Sequence, residues 1–180
     1  VGAFVEHVQN ETVVMGLADV VTEFCRGIRA VISQLGEAGM CAAIFHAIGV
    51  HQNAPEVVSA LCGALVNLAA LKENKLRIVQ ANGDVGIALV LDRFGEDPAI
   101  ARRAARLLTV ICGVPGRTAA LSTAGATNAV LQAIHLHLND ALVAEPLCRV
   151  LTVFGLEDTD ENVRMWGGSA LQHLVHVLEQ

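Results

Sequence analysis

Seven histidines, five cysteines, eighteen carboxylates and a cluster of arginines (Arg102, Arg103 and Arg106, with Arg149 further on) carry most of the chain's capacity for chemistry. No phosphate-cradling GxxxxGK is present, nor GxGxxG after a strand, HExxH or GxSxG, so the familiar spacings for nucleotide, metal or acyl chemistry are missing. His135 and His137 are two residues apart on an expected helix and face different ways, which rules out joint chelation. His173 and His176, three apart, could share a metal, but no third ligand stands nearby and a structural role is expected. The segment "DTDENV" at Asp158–Val163 begins like a calcium loop. It lacks the required glycine, where Val163 stands, and the closing glutamate, where Ser169 stands, and so reads as an acidic loop. The expectation is a chain that is not an enzyme and takes neither cofactor nor metal.

The cysteines are odd in number and show no CxxC or zinc-like spacing, and no segment has a signal-peptide pattern. An intracellular, cytoplasmic protein is expected, with nucleus or cytoskeleton as alternatives. A net charge of −6 argues against nucleic acid as a partner, since phosphates need a basic surface. Basic residues nevertheless gather between Lys72 and Arg117, with acidic flanks, a pattern more useful to a protein partner.

The elements that position these groups follow from composition. Hydrophobic residues make up 53% of the chain, mostly Ala, Val and Leu, while aromatics are only 3%. Small aliphatic side chains and scarce proline suit closely packed helices, and the chain reads as all-α. Mean hydropathy is high at +0.51. Even so, the most apolar segments, "GMCAAIFHAIGV" and "SALCGALVNLAAL", are short and carry His46 and Asn67, so no transmembrane segment is expected.

The helices repeat. Glycines at Gly39, Gly83, Gly125 and Gly168 follow small or polar residues at steps of 44, 42 and 43. Before them, Val57, Leu61, Leu65 and Leu68 trace an apolar helical face. The equivalent residues are Val13, Leu17, Val21 and Phe24 in the preceding copy, Ile100, Ala104, Leu108 and Ile111 in the next, and Val143, Leu147, Leu151 and Phe154 in the last. All sixteen are apolar, where composition alone would make about half so. Asn10, Asp97 and Asp140 precede the long helices as caps, with Asn53 one position early in its copy. Pro55 and Pro98 fit the first helical turn. Pro146 falls too deep and is expected to shorten or kink its helix. Cys62 and Cys148 align with Ala18 and Ala105, and Cys25 and Cys112 with Ala69 and Gly155, which marks both positions as tight packing sites.

A period near 43 with a short helix, a glycine turn and two longer helices resembles the armadillo repeat. The residues that carry the resemblance are "NKLRIVQANGDVGIALVLDRFGEDPAIARRAARLLTVI" and the third-helix stretch "ALVNLAALKEN". Short helices are expected at Lys75–Ala81, Thr118–Thr123 and Glu161–Trp166, which sets the pattern apart from HEAT repeats. The resemblance implies an all-α, right-handed α-solenoid of about four armadillo-type three-helix repeats. Residues 1–180 would form one such solenoid, divided near 1–38 (partial), 39–82, 83–124, 125–167 and 168–180 (partial).

In the importin-alpha and beta-catenin branches of the family, third helices line a concave groove with a Trp and an Asn four residues later. Carried over, the Asn position is Asn67, with Glu23, Val110 and Val153 in the other copies. The Trp position reads Asp19, Gly63, Arg106 and Arg149, and one turn earlier stand Gly16, Ala60, Arg103 and Pro146. Without the Trp ladder, an importin-like receptor for basic signals is not implied. The inferred groove runs from acidic (Asp19, Glu23), through a recessed neutral step (Ala60, Gly63, Asn67), to basic (Arg103, Arg106, Arg149). Arginines hold carboxylates or phosphates through paired hydrogen bonds, so an acidic or phosphorylated peptide or helix of a partner protein is the expected ligand. Arg102, Arg103 and Arg106 would equally serve as an ordinary solvated helix face balanced by Glu96 and Asp97.

A non-catalytic interaction scaffold or adaptor is therefore the first expectation. A regulatory segment of a larger enzyme or motor is the second, because the ends "VGAFVEHV" and "SALQHLVHVLEQ" lack polar caps and read as cuts through a longer chain. Self-association through the end helices is the third, with Val1, Phe4 and Val5 at one end and Leu171, Leu174, Val175 and Leu178 at the other left apolar.

Overall fold

Positions 11, 55, 98 and 141 each open a long helix, and positions 40, 83 and 126 each open a middle one. In the computed structural model, which describes residues 1–114, 116–117, 120–121 and 124–156, ten helices and no strands are found among the described residues. In order they are α1 (Gly2–Glu6), α2 (Glu11–Phe24), α3 (Arg29–Glu37), α4 (Met40–Val50), α5 (Pro55–Leu68), α6 (Lys72–Gln80), α7 (Gly83–Phe94), α8 (Pro98–Cys112), α9 (Ala126–Leu136) and α10 (Ala141–Leu156). The expected short helix at Lys75–Ala81 is α6, begun three residues earlier. The one expected at Thr118–Thr123 lies largely outside the described residues, and that at Glu161–Trp166 wholly so. The chain forms two compact units, Val1–Gly86 and Ile87–Gln180.

The turn before each middle helix needs a residue in the left-handed region. Gly39 (φ 88°), Asn82 (φ 52°) and Gly125 (φ 81°) take that conformation, so the true beat is one residue before Gly83. Asn tolerates this region better than most residues with a side chain. Gly83 is small for a different reason. A Cβ there would fall 2.3 Å from the Phe45 ring, which packs directly on the backbone.

In the first unit α2 and α4 pack against α5, α3 contacts α4, α5 and α6, and α1 rests on α4. Helices α3 and α4 meet at 67°. Val58, Leu61, Leu65, Ile44 and Ile78 are fully buried, each worth about 1.5–3 kcal/mol of transfer free energy. Phe4 is also buried, at 2% exposure, because α1 presses it toward α4; it is not the bare end residue that the sequence suggests. Asn74 is the polar bolt of this unit. Its Nδ2 donates to the carbonyls of Ile32 and Leu68, both at 3.0 Å, and its Oδ1 accepts from Arg77 at 2.8 Å. His51 Nε2 lies 2.6 Å from the Val8 carbonyl; a carbonyl only accepts, so that nitrogen carries the proton.

In the second unit α8 and α9 pack against α10. Ile100, Leu107, Leu108, Ile111, Val130, Leu147 and Phe154 form its core. His137 Nε2 sits 2.7 Å from the Gly95 carbonyl, 42 residues earlier, and so repeats the His51 arrangement of the first unit.

The capping expectations hold in three of four copies. Asn10 Oδ1 accepts from Val13, Asp97 Oδ1 from Ala99 and Ile100, and Asp140 Oδ1 from Leu142. At α5 the N-cap residue is Ala54, with no side-chain cap, since Asn53 falls one residue outside the capping position. Pro146 does not shorten its helix: α10 runs from Ala141 straight through it. The Asp140 cap and the Asp140 carbonyl, which accepts from Val143 and Ala144, secure the first turn, and the proline removes only the N–H that would have met the Leu142 carbonyl.

The apolar face is buried at all twelve expected positions of α5, α8 and α10. The copy in α2 departs from this. Val21 is buried, but Val13 and Leu17 are half-exposed and Phe24 is 59% exposed, whereas the adjacent stripe Val14, Ala18, Val21 and Cys25 is buried. Among the tight packing sites, Cys25, Cys62 and Cys112 are buried as expected, but Cys148 is exposed on α10.

Candidate functional site

On α8, residues Arg102 and Arg106 are four apart and project from one side of the helix, while the flanking Ala101, Ala104, Ala105 and Leu108 are buried. On α10, Leu142, Glu145, Pro146 and Arg149 are spaced to share a face. The two helices pack together and leave between these faces a cleft of about 610 Å³. Arg102, Arg106 and Arg149 line it beside Val110, Leu142 and Pro146, and Thr109, Ala141 and Glu145 complete it.

Three guanidinium groups face one carboxylate, so the cleft has an excess of positive charge. Glu145 accepts a hydrogen bond from Arg149 within α10. Both side chains are well exposed, and such a pair is worth only a few tenths of a kcal/mol, so an incoming anion displaces it at small cost. Thr109 donates its hydroxyl hydrogen to the Ala105 carbonyl at 2.9 Å, which leaves the arginines as the cleft's donors to an anion. The cleft thus offers guanidinium donors beside an apolar surface, a combination that suits a carboxylate or phosphate carried on an apolar segment.

Of the expected groove residues, the structure brings Arg106 and Arg149 together in the second unit. Arg103 lies outside the cleft lining, about 100° around the helix from its neighbour, and Arg102 takes its place. In the first unit Asp19 and Glu23 are exposed on α2, and Gly63 and Asn67 are half-buried on α5. Glu23 pairs with Arg26 at 3.3 Å, which offsets part of the expected acidic character. Sequence reasoning passed over Leu142 and Glu145 of the lining. The signals for them were the Glu145–Arg149 spacing of four and the unusual helical proline between them.

Among the described residues, no three His, Cys, Asp or Glu side chains gather to hold a metal. The acidic segment Asp158–Val163, the pair His173 and His176, and the apolar residues Leu171, Leu174, Val175 and Leu178 lie outside the described residues. No helix among the described residues is long and apolar enough to cross a membrane. Burial pushes the Cys41 thiol up to about 11, with Arg77 drawing it partly back. Partial desolvation by its helical neighbours also raises the exposed Cys148, and the neighbouring Glu145 adds to the rise, so neither thiol is activated as a nucleophile.

Comparisons with protein-family models, with curated proteins and with solved structures find no match.

Proposed function

We propose that this chain is a non-catalytic protein-interaction module of armadillo-like three-helix repeats that holds an acidic or phosphorylated peptide or helix of a partner protein. The observation that carries the reading is the cleft between α8 and α10, where Arg102, Arg106 and Arg149 surround a space bordered by Val110, Leu142 and Pro146. The 43-residue spacing of helix starts supports the repeat architecture, in which each added unit extends a surface for binding. Within the first unit, Asp19 and Glu23 on α2 and Gly63 and Asn67 on α5 are proposed as further partner-binding residues, with Asn67 as a donor and acceptor for a partner's backbone.

An array of acidic and phosphorylated helical peptides, each paired with a charge-reversed counterpart, tests this directly. Peptides retained by the protein are then titrated by fluorescence anisotropy against wild type and Arg102→Glu/Arg106→Glu/Arg149→Glu. Each lost charge-assisted contact is worth about 1.5–3 kcal/mol, so affinity falls at least tenfold and wild-type binding weakens with salt. Equal retention of acidic and charge-reversed peptides, or unchanged affinity in the variant, overturns the reading.

A further inference from the structure

The cleft between α8 and α10 is unbalanced in the amount of its charge as well as in the sign. Three guanidinium groups, of Arg102, Arg106 and Arg149, stand with the single carboxylate of Glu145, for a net charge of +2. The two walls are built differently. Arg102 and Arg106, about one turn apart, put two guanidinium groups on the α8 wall. Arg149 stands 43 residues beyond Arg106, at the same place in the next long helix, and on the α10 wall it is already shared with Glu145. Both members of that pair are well exposed, at 64% and 60%, so each holds the other weakly.

A carboxylate brings one charge and two oxygens, and one guanidinium fork satisfies it. At Arg149 it can only replace Glu145 like for like, so the α8 wall alone would hold it. A phosphomonoester brings a charge of about −1.5 to −2 at pH 7 and three oxygen acceptors. It can draw Arg149 away from Glu145 while Arg102 and Arg106 still hold it, and its charge matches the excess in the cleft. The border points to what carries the phosphate. Leu142 is 70% exposed beside Val110 and Pro146, and a space of about 610 Å³ is of a size for an organic ligand rather than a bare ion. The chain's net charge of −6 opposes nucleic acid and anionic lipid surfaces as the carrier.

Resting on the anion-binding reading above, we propose that this cleft selects a phosphorylated residue over a carboxylate, and that Arg149 is the residue that makes the distinction. The carrier is a peptide or helix of a partner protein whose apolar side chains meet Val110, Leu142 and Pro146.

The test titrates phenyl phosphate, phenylacetate and inorganic phosphate into the whole chain at about pH 7.5, with the arginine side-chain NMR signals as readout. Wild type, Arg149→Gln and Arg102→Gln/Arg106→Gln are compared after far-UV circular dichroism confirms equal helicity; the two single variants replace the double one if its helicity falls. One further charge-assisted contact corresponds to about tenfold in affinity or more. Phenyl phosphate is therefore expected to bind wild type about tenfold more tightly than phenylacetate does, and to lose that advantage in Arg149→Gln. Phenylacetate should hardly notice Arg149→Gln, and loss of the α8 arginines should weaken both probes. Equal affinity for the two organic probes, or equal losses in Arg149→Gln, leaves anion binding standing and overturns the selectivity. Binding of neither, or binding that survives in every variant, overturns the cleft as an anion site as well. Inorganic phosphate that binds as tightly as phenyl phosphate overturns the role of the apolar border. Pelleting of the protein with vesicles of phosphatidic acid in phosphatidylcholine would assign the phosphate to a lipid headgroup and overturn the protein partner.

Discussion

Gly36 lies in α3 against Asn74, and a Cβ added to it would fall 1.7 Å from Asn74 Oδ1, 2.5 Å from Cγ and 2.9 Å from Nδ2. In an unobstructed helix, Gly→Ala stabilises by about 1 kcal/mol, because alanine has less backbone freedom to lose. Here the side chain of Asn74 must leave. Its departure breaks the two bonds it donates to Ile32 and Leu68 and the one it accepts from Arg77. At about 1 kcal/mol each, with desolvated carbonyls left behind, the loss is about 2–4 kcal/mol. Gly36→Ala is therefore expected to destabilise by about 1–3 kcal/mol net, or to lower Tm by about 2–12 °C for a chain of this size. In an Asn74→Ala background those atoms are gone, and the same substitution should stabilise by up to about 1 kcal/mol. Urea unfolding of the four proteins, followed by circular dichroism, closes this double-mutant cycle. The sign reversal is the point of the test. A stabilising Gly36→Ala in the wild-type background, or an equal shift in both backgrounds, refutes the reasoning.

Four other outcomes follow from the same structure. Ala54→Asp gives α5 the side-chain cap that α2, α8 and α10 already have, and should raise stability by about 0.5–1 kcal/mol in urea unfolding. Gly83→Ala drives a methyl into the Phe45 ring and should cost about 1–3 kcal/mol, with much of the loss recovered by adding Phe45→Leu. In the native protein a thiol reagent should modify exposed Cys148 well before buried Cys25, Cys41, Cys62 and Cys112. The raised Cys41 pKa stabilises the fold below the ordinary thiol value of 9.0, and that contribution is lost as pH climbs toward about 11. Alkaline titration of the unfolding midpoint should therefore fall less steeply in Cys41→Ala.

Much of the local architecture was legible because it is written in short-range rules. Helix starts follow from Asn10, Asp97 and Asp140 and from prolines placed where no N–H is needed, and these act within a turn of where they stand. The beat of 43 was visible for the same reason, as identical local needs recur at identical spacing. Its phase was misread by one residue at Gly83, because a glycine serves a left-handed turn and a close ring contact equally well. Only the backbone separates Asn82, which turns, from Gly83, which makes room for Phe45.

The candidate site was half legible. Charge at Arg106 and Arg149 stands out in the sequence, but choosing Arg102 over Arg103 needs the helix rotation that packing of α8 on α10 fixes. Exposure was the least legible property. Phe24 and Phe154 occupy equivalent places in the pattern, yet one is open and the other fully buried. The sequence by itself determined where helices begin, which residue types repeat and how charge is distributed, since these are set within a few residues of the chain. The tertiary structure alone decided which stripe is covered, which arginines share a cleft, and that Asn74 bridges helices 42 residues apart, because burial depends on a neighbour that no local pattern contains.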